Sequence, residues 1–461
     1  MTPDTTDLCF VPLGGCGEIG MNMNLYGHDD NWLMVDCGIT FAAAADPIAR
    51  SNKQVQMADP AFIVERREKL AGIVITHAHE DHIGALPWLW RKLQAPVYTS
   101  AYTAEVLRRK LIEHGLEGKV PVHVVADQQR LQIGSFSVEW IQQTHSVPEP
   151  FGLLIDTPVG RIFHTADWKL DATPVVGAGY DEARYRSLGQ NHEDSSSPPV
   201  AAIVCDSTCA TVPEHTPSEG DLYTGLKAVI EAQQGRVVIA CFGSNIARLT
   251  TLARIADECD RHLGLLGRSL LNTVSAARSV GLWEHQQTLV DQEHLGYLPA
   301  SNLLLVATGS QGEQRTGLDR LSRNSFRDLA LEPGDTVIFS ARKIPGNEND
   351  VDALIARLES MQVKVVTPDD TSELIHTSGH PSAAELKQMY EWVQPEICIP
   401  VHGEPEHLQA HGQLAREAGI DRQLCGRNGD LFFLSPNKGV RREAVSTGRL
   451  GIENGKLIRV E

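Results

Sequence analysis

The chain has 461 residues, of which 42% are hydrophobic and 22% are charged, and its formal net charge is −18 at pH 7. This length exceeds what one hydrophobic core usually supports, so we expect two domains. The acidic excess excludes a protein whose whole surface binds nucleic acid, but it is compatible with a local basic patch. No apolar run approaches the ~18 residues that span a bilayer, and the N-terminus lacks the basic start and apolar stretch of a signal peptide. We therefore expect a cytoplasmic protein without membrane association.

Nine cysteines are scattered along the chain, and none forms a CxxC pair. Most of them lie in apolar, strand-like runs such as AAIVCDS and PEICIP. We expect buried free thiols rather than disulfides or a zinc ribbon.

The first part of the chain has the pattern of a domain that mixes strands and helices. Short apolar segments predict strands at residues 8–13, 23–26, 32–35, 72–76, 97–99, 122–125, 138–142, 152–155 and 161–165. The glycines of GGCGEIG, after the first of these strands, predict a tight turn, because their spacing is not GxGxxG before a helix. The polar stretch at 181–199 predicts an exposed loop.

Residues 212–370 predict a second domain. Strand-like runs such as RVVIACF and LLLVAT alternate there with amphipathic stretches such as NIARLTTLARIADEC, which is typical of parallel α/β packing. Further strands are expected in EICIPV and DLFFLS, beyond residue 370. Six arginines fall in this second region, at positions 236, 248, 254, 261, 268 and 278. They indicate either solvated helix faces or a surface that faces phosphate.

The stretch HAHEDH, at residues 77–82, indicates a metal site next to a buried strand. Residues two apart in an extended chain project to the same side, so His77 and His79 can converge on one ion. Asp81 and His82 follow where the chain turns into a helix, and they are available to a second ion close by. The order of residues is not HExxH, which excludes the helical zinc-protease arrangement.

Two ions need more ligands than this loop supplies. His145, Asp167 and His402 each follow an apolar strand. Singly, each is more typical of an ordinary polar loop residue. Together they match the way in which α/β enzymes assemble sites from the carboxyl ends of several strands.

These stretches resemble the successive motifs of the metallo-β-lactamase fold, which here read THAHEDH, HSVPEPFG, HTADWKLD and PVHGE. More closely, the chain resembles the bacterial ribonuclease J family of the β-CASP branch. That resemblance also rests on LGGCGEIGMNM, CDSTCA, FGSNIARL, LGRSLLNT, ATGSQGE, KIPGNE and IHTSGHPS, which follow the family's order. It implies an α/β fold, a metallo-β-lactamase αββα sandwich with an inserted β-CASP domain. The implied boundaries are 1–211 and 371–461 for the sandwich and 212–370 for the insertion.

The resemblance also implies site residues. His77, His79 and His145 would bind one zinc ion, Asp81, His82 and His402 the other, and Asp167 would bridge the two. Mn²⁺ or Mg²⁺ is an alternative in activity. Three residues would be catalytic: Asp81, Asp206 and His380. An RNA phosphate would be bound by His376, Ser378, Gly379 and His380, with Ser310 as a further member.

The implied function is metal-dependent hydrolysis of single-stranded RNA. Backbone N–H groups of Ser378 and Gly379, near a helix start, would bind a terminal phosphate and favour 5′-to-3′ removal of nucleotides from 5′-monophosphate ends. Endonuclease activity is left open. The alternatives are a DNA-directed nuclease of the same branch, a catalytically silent RNA-binding subunit, and a thioester or lactam hydrolase.

Two departures from the family's pattern affect these expectations. The family usually carries a further C-terminal domain, which we expect this chain, ending at Glu461, to lack, and a homodimer is therefore left open. Residues 41–60 replace a stretch that is usually acidic and rich in proline, and their role is not assigned.

Overall fold

The computed structural model describes residues 6–41, 55–189, 198–284, 289–344 and 346–460. Of the unassigned stretch at 41–60, residues 42–54 lie outside the described ones. All nine cysteines are free and six of them are buried, which confirms the expected thiols. Within the described ranges, no helix is long and apolar enough to cross a membrane.

Two sheets form the centre of the molecule, and their strands are numbered in chain order. The first sheet has eight strands in the order β22 (Gly439–Arg441), β21 (Leu431–Ser435), β1 (Leu8–Gly14), β2 (Met23–His28), β3 (Asn31–Val35), β6 (Leu70–Val74), β7 (Val97–Thr99) and β8 (Val122–Val124). Strands β1, β2, β3, β21 and β22 pair antiparallel, whereas β3, β6, β7 and β8 pair parallel.

The second sheet has seven strands. Their order is β20 (Arg422–Gln423), β19 (Ile397–Val401), β13 (Val200–Asp206), β12 (Gly160–His164), β11 (Phe151–Thr157), β10 (Phe136–Gln142) and β9 (Arg130–Ile133). Strands β9 to β12 form an antiparallel meander, and β12, β13, β19 and β20 pair parallel.

The two sheets pack face to face over a shared apolar core. It includes Phe10, Tyr26 and Val74 from the first sheet and Trp140, Ile155 and Ile399 from the second. Helices cover the outer face of the first sheet: α1 (Ala61–Val64), α2 (Glu80–Ile83), α3 (Leu86–Leu93) and α4 (Ala101–Glu113). The outer face of the second sheet is covered by α5 (Glu182–Gly189), α11 (Ala383–Val393) and α12 (Pro405–Glu417). This layering confirms the αββα sandwich.

The inserted region forms a third sheet in which all strands are parallel. Its order is β15 (His262–Leu266), β16 (Leu303–Ala307), β14 (Val237–Ala240), β17 (Thr336–Phe339) and β18 (Lys364–Val366). Helices α6 (Leu222–Glu231), α7 (Ile246–Glu258) and α8 (Arg268–Ser279) cover one face, and α9 (Gly317–Ser322) and α10 (Glu348–Ser360) cover the other. Because side chains alternate along a strand, Val237 and Ile239 face the first set of helices and Val238 and Ala240 face the second.

A small sheet of four strands completes the fold. It pairs two strands from the first part of the chain with a hairpin from its last part, in the order β24 (Lys456–Val460), β23 (Arg449–Glu453), β5 (Val55–Ala58) and β4 (Ile39–Phe41). The described residues also include three short 3₁₀ helices, at Arg67–Lys69, Gln292–Tyr297 and Ala300–Asn302.

The expected loop at 181–199 is wrong over its first half, because residues 182–189 form α5. Tyr185 and Leu188 lie three residues apart on one helix face, and both are buried. The Tyr185 ring stacks on Trp392 of α11 at a centroid distance of 5.9 Å. The polar residues between them occupy the outer face, which made the segment look like a loop. Residues 190–197 lie outside the described chain.

Buried ionic groups fix the connections between the sandwich and the inserted region. Glu219, on the outgoing connection, forms a bidentate ion pair with Arg248 of α7, with distances of 2.9 and 3.0 Å. Arg248 also donates to the Ser340 carbonyl at 3.0 Å. Since both charged side chains are almost fully buried, each depends on the other for compensation.

Glu385 of α11 makes a second buried connection. Its carboxylate accepts backbone N–H groups from Leu170 at 2.7 Å, Thr216 at 3.2 Å and Ser382 at 2.9 Å. These three donors belong to three separate segments of the chain. One carboxylate therefore holds the outgoing and returning connections against the sandwich.

Candidate metal centre

The predicted metal ligands lie at one edge of the sandwich, where strands of both sheets end. His77 and His79 follow β6, and His145 follows β10. Asp167 follows β12, and His402 follows β19. The ligand atoms form overlapping groups, within each of which all of them lie within 4.8 Å of one another: His77, His79, His145 and Asp167; Asp81, His82, Asp167 and His402; and Asp167, Asp206, His380 and His402.

In the first group, three imidazoles turn nitrogen atoms toward a common point. His145 donates from Nδ1 to the Gly379 carbonyl at 2.6 Å, so its Nε2 carries a lone pair. Thr76 Oγ1 donates to Asp36 and therefore accepts from His77 Nδ1, at 3.0 Å, which leaves a lone pair on His77 Nε2 as well. Both Nε2 atoms face Nδ1 of His79, at 3.0 and 3.2 Å.

These imidazoles are held in their neutral form. Burial lowers the pKa of His79 to about 4 and places the pKa values of His77 and His145 well below the ordinary range. Neutral imidazole is the form that binds a metal ion. One proton on His79 can satisfy only one of the two facing lone pairs, whereas a cation between the rings would satisfy all three nitrogens.

The second group shares Asp167 with the first. Asp167 Oδ2 lies 3.2 Å from His82 Nε2, and Oδ1 lies 3.1 Å from His402 Nδ1. His402 Nε2 lies 3.1 Å from Asp81 Oδ2. Burial alone would raise the pKa of Asp167, but His402 and His82 hold it well below the ordinary value. A carboxylate that faces both groups is chemically suited to bridge two cations.

Asp36 orients His82 and was not singled out from the sequence. Its Oδ2 accepts from His82 Nδ1 at 2.7 Å, which turns His82 Nε2 toward Asp167. A carboxylate behind a ligand histidine fixes the tautomer and ring orientation. A signal was present, because Asp36 directly follows an apolar strand, much as Asp206 ends one.

The strand ends at this edge carry strained backbone. Asp36, Ala166 and His402 have φ values of 65°, 50° and 52°, in the left-handed region that non-glycine residues rarely adopt. His402 is held there by its N–H, which donates to the Gly15 carbonyl at 2.6 Å. The glycine-rich turn at 14–20 thus supports the ligand edge, and backbone strain of this kind clusters at functional sites.

Asp206 and His380 form a pair beside the second group. Asp206 Oδ2 accepts from His380 Nδ1 at 2.7 Å, and Oδ1 accepts from the Thr208 hydroxyl at 2.7 Å. Burial alone would lower the pKa of His380, but the charge of Asp206, its hydrogen bond to the ring and the charge of Asp167 together raise the pKa. The side chain of His380 is 21% exposed, so a charged imidazole reaches the open side of the site.

Glu80 is the acidic residue of HAHEDH that turns away. Its carboxylate pairs with Lys110 of α4, and its side chain is half exposed. Within HAHEDH, Asp81 is the acidic residue whose carboxylate faces the ligand groups. The other carboxylate is that of Asp167, which follows β12.

The donor set fits divalent cations. Neutral imidazole nitrogens and carboxylate oxygens in overlapping groups are ligands that zinc accepts, and the shared carboxylate also suits manganese. His77, His79 and His145 would hold one cation, Asp81, His82 and His402 the other, and Asp167 would contact both.

The predicted phosphate-binding segment lies against this edge. Gly379 approaches His145 so closely that a Cβ atom on it would come within 2.8 Å of the ring. The Ser378 hydroxyl accepts from the His380 N–H at 3.1 Å and lies 3.3 Å from Cys209 Sγ. His376 donates to the Ser340 carbonyl at 3.2 Å, and burial lowers its pKa to about 3. Ser310 is buried in the loop after β16 of the inserted domain.

The six arginines of the inserted region do not form one surface. Arg236, Arg248 and Arg261 are buried, and their guanidinium groups bind carbonyls or carboxylates of the domain itself. Arg254, Arg268 and Arg278 are exposed. The six arginines are therefore neither all on solvated helix faces nor all part of a surface that faces phosphate.

Family models match three parts of the chain. Residues 31–185 match a beta-lactamase superfamily domain, residues 234–358 match the beta-CASP domain of ribonuclease J, and residues 371–424 match the RNA specificity domain of Zn-dependent metallo-hydrolases. Fold and site together define a metallo-β-lactamase-fold hydrolase with an inserted β-CASP domain, a class that uses divalent metal ions.

Similar proteins narrow this class to a family. The chain is 40% identical to ribonuclease J of Sinorhizobium meliloti, over 98% of this chain and 78% of that protein. It is 35% identical to ribonuclease J 1 of Streptococcus pyogenes, over 92% and 74% of the respective chains. The chain therefore belongs to the ribonuclease J family. A crystal structure of a protein of unknown function from Enterococcus faecalis shares the fold, with a TM-score of 0.62, 17% identity, and coverage of 93% of this chain and all of that one.

Proposed function

We propose that this protein hydrolyses the phosphodiester bonds of single-stranded RNA at a site that holds two divalent cations, zinc by preference. The observation that carries the proposal is the pair of overlapping ligand groups that share Asp167. It is supported by the names of the relatives and by the match of residues 371–424 to an RNA specificity domain. That matched segment contains His376, Ser378, Gly379, His380 and His402.

The chain's own residues would act in three ways. The histidines and Asp167 would hold the cations. Asp36 and the left-handed backbone would orient the donor atoms of these ligands. Asp81 lies between His82 and His402, where its carboxylate can orient the attacking water. When bound, the cations would activate that water at neutral pH and neutralise charge that develops on the phosphate.

His380 would stabilise or protonate the leaving oxygen. Its Nδ1 is engaged by Asp206, so Nε2 is the atom available to the substrate. Because Asp206 raises the pKa of His380, the imidazole keeps its proton to a higher pH than an unperturbed histidine does. Asp206 would thus favour the protonated form of His380, which can donate a proton to the leaving oxygen.

The segment from His376 to His380 would bind phosphate and set the direction of cleavage. Ser378 and Gly379 lie beside His145, so a terminal phosphate bound there would place the next phosphodiester near the cations. This placement supports 5′-to-3′ release of nucleotides with a preference for 5′-monophosphate ends. Ser310 is a further candidate in this pocket, and endonuclease activity at the same centre is an additional proposal.

The organisation of the protein is proposed on the same basis. The sandwich would comprise residues 1–211 and 371–461, and the β-CASP domain residues 212–370. We place the enzyme in the cytoplasm and assign it to RNA processing and decay. A homodimer is an additional proposal.

The test uses internally labelled RNA that carries a 5′-monophosphate, a 5′-triphosphate or a 5′-hydroxyl group, with Mn²⁺ or Zn²⁺ and with EDTA. We expect mononucleotide release that favours the monophosphate and that EDTA abolishes. Equal digestion of DNA would instead support a DNA-directed nuclease. Binding of RNA without cleavage in either metal would indicate a silent RNA-binding subunit. Undiminished cleavage by an Asp81→Ala, His82→Ala variant would contradict the assigned site.

A further inference from the structure

Arg342 lies in the loop that follows β17, beside the segment proposed to bind phosphate. Two residues earlier, Ser340 donates from its hydroxyl to the Ile375 carbonyl at 2.6 Å, and its own carbonyl accepts from His376 Nδ1. Since consecutive Cα atoms are about 3.8 Å apart, the Cα of Arg342 lies within about 8 Å of that of Ser340. An arginine side chain extended from this position can reach the neighbourhood of the 376–380 segment.

The backbone that carries Arg342 is fixed by one buried side chain. Gln311 donates from Nε2 to the Arg342 carbonyl at 2.8 Å and accepts the Ile344 N–H at 2.9 Å through Oε1. Gln311 is 4% exposed, so this double contact is protected from water. Gln311 therefore fixes the backbone of this loop in place.

The guanidinium of Arg342 is open to a ligand. The residue is exposed, and among the residues that the structure describes no carboxylate pairs with it. Its neighbour Lys343 differs, because Lys343 Nζ lies 2.5 Å from Asp352. The positive charge of Arg342 contributes to lowering the pKa of His376 and acts in the same direction on the Cys209 thiol, which contacts Ser378. The charge of Arg342 therefore lies close enough to His376 and to Cys209, the neighbour of Ser378, to act on both.

We propose that Arg342 is a specificity-determining residue that binds the terminal phosphate of 5′-monophosphorylated RNA. This inference rests on the proposed function. The pocket contains the carboxylates of Asp81, Asp167 and Asp206, of which the last two are buried, so a phosphate dianion at its far end needs a permanent cation. A guanidinium provides one and matches phosphate oxygens with paired N–H donors, which a 5′-hydroxyl group cannot use.

The test compares Arg342→Gln and Arg342→Lys with Lys343→Gln, which removes a charge from the same loop. KM is measured for RNA with a 5′-monophosphate and with a 5′-hydroxyl end, in Mn²⁺, and binding of both RNAs is followed by fluorescence anisotropy in EDTA. We expect Arg342→Gln to raise KM for the monophosphate about tenfold and to change KM for the hydroxyl end less than about twofold. Arg342→Lys should recover part of the difference, and Lys343→Gln should preserve the ratio. A thermal melt verifies that each variant is folded.

Two results would overturn the assignment: an unchanged ratio in Arg342→Gln, or an equal loss for both RNA ends. The proposed function fails separately, if the wild-type protein leaves both RNAs intact. The anisotropy measurement then still decides the role of Arg342, because a monophosphate preference that disappears in Arg342→Gln supports it and an unaffected preference contradicts it.

Discussion

Asp36 and His82 are joined by a hydrogen bond of 2.7 Å between Oδ2 and Nδ1, and both side chains are buried. The same carboxylate accepts from the backbone N–H of Thr76 at 2.8 Å, next to His77. One acidic residue thus fixes a predicted ligand of the second cation and the chain that carries a predicted ligand of the first. Asp36 therefore connects the two predicted ligand groups.

Replacing Asp36 should therefore weaken metal binding. In Asp36→Asn, His82 loses its charged partner, and we expect zinc affinity to fall about 10–100-fold. Competition with a chromophoric zinc chelator measures this directly. Asp30→Asn removes an exposed carboxylate that pairs with Lys69 and serves as the matched control. Equal affinities of Asp36→Asn and wild type would show that Asp36 does not tune the centre.

Gly379 should not tolerate a side chain. A Cβ at this position would come within 2.7 Å of Ser146 Oγ and 2.8 Å of the His145 ring, so Gly379→Ala must displace a predicted ligand. A displacement of about 1 Å can reduce turnover by about 100-fold. Hydrolysis of 5′-monophosphate RNA by Gly379→Ala is compared with that by Gly439→Ala, where a Cβ meets no atom within 4 Å. Similar rates for the two variants would refute this close approach.

The pH dependence of turnover should report the pair formed by His380 and Asp206. Asp206 raises the pKa of His380, so the protonated imidazole persists above its ordinary range and is lost as the pH rises through the raised pKa. In Asp206→Asn the pKa of His380 should fall, and the alkaline limb of the kcat profile should move to lower pH. Glu80→Gln removes an acid of the HAHEDH stretch that pairs with Lys110, and it should leave the limb in place. A limb that does not move in Asp206→Asn would exclude His380 as the acid.

The buried pair of Glu219 and Arg248 should contribute strongly to stability. Arg248→Met leaves the Glu219 carboxylate buried without compensation, and we expect the free energy of unfolding to fall by about 3–5 kcal/mol. Arg254→Met, on the same helix, breaks an exposed pair with Glu258 and should lower the free energy of unfolding far less. Urea denaturation measures both. The double variant Glu219→Gln, Arg248→Met should regain part of the loss, and a further decrease would contradict the charge argument.

Much of the centre could be predicted because its ligands follow apolar strands within a few residues. His77, His79, His145, Asp167 and His402 each do so, and the carboxyl ends of their strands meet at one edge of the sandwich. Asp36 shares this pattern but has no partner nearby in the sequence. Its role depends on a contact with a residue 46 positions away, and periodicity cannot reveal such a contact.

Other features depended on tertiary structure in the same way. The helix α5 was missed because only Tyr185 and Leu188 mark its buried face, and the partner of that face, Trp392, lies two hundred residues later. The phosphate-binding role of the Ser378 and Gly379 N–H groups stays a prediction, but the contacts that hold this segment were not foreseen: the His380 N–H donates to the Ser378 hydroxyl, and the Gly379 carbonyl accepts from His145. Such choices of donor and acceptor follow from packing and not from residue type.

The most direct test of the account is a metal titration of the metal-depleted protein. Zn²⁺ or Mn²⁺ is added in fractions of an equivalent while nucleotide release from internally labelled 5′-monophosphate RNA is followed. The account predicts no hydrolysis without metal and full activity only as the second equivalent binds. Hydrolysis by the metal-free protein, or intact RNA after two equivalents have bound, would contradict it.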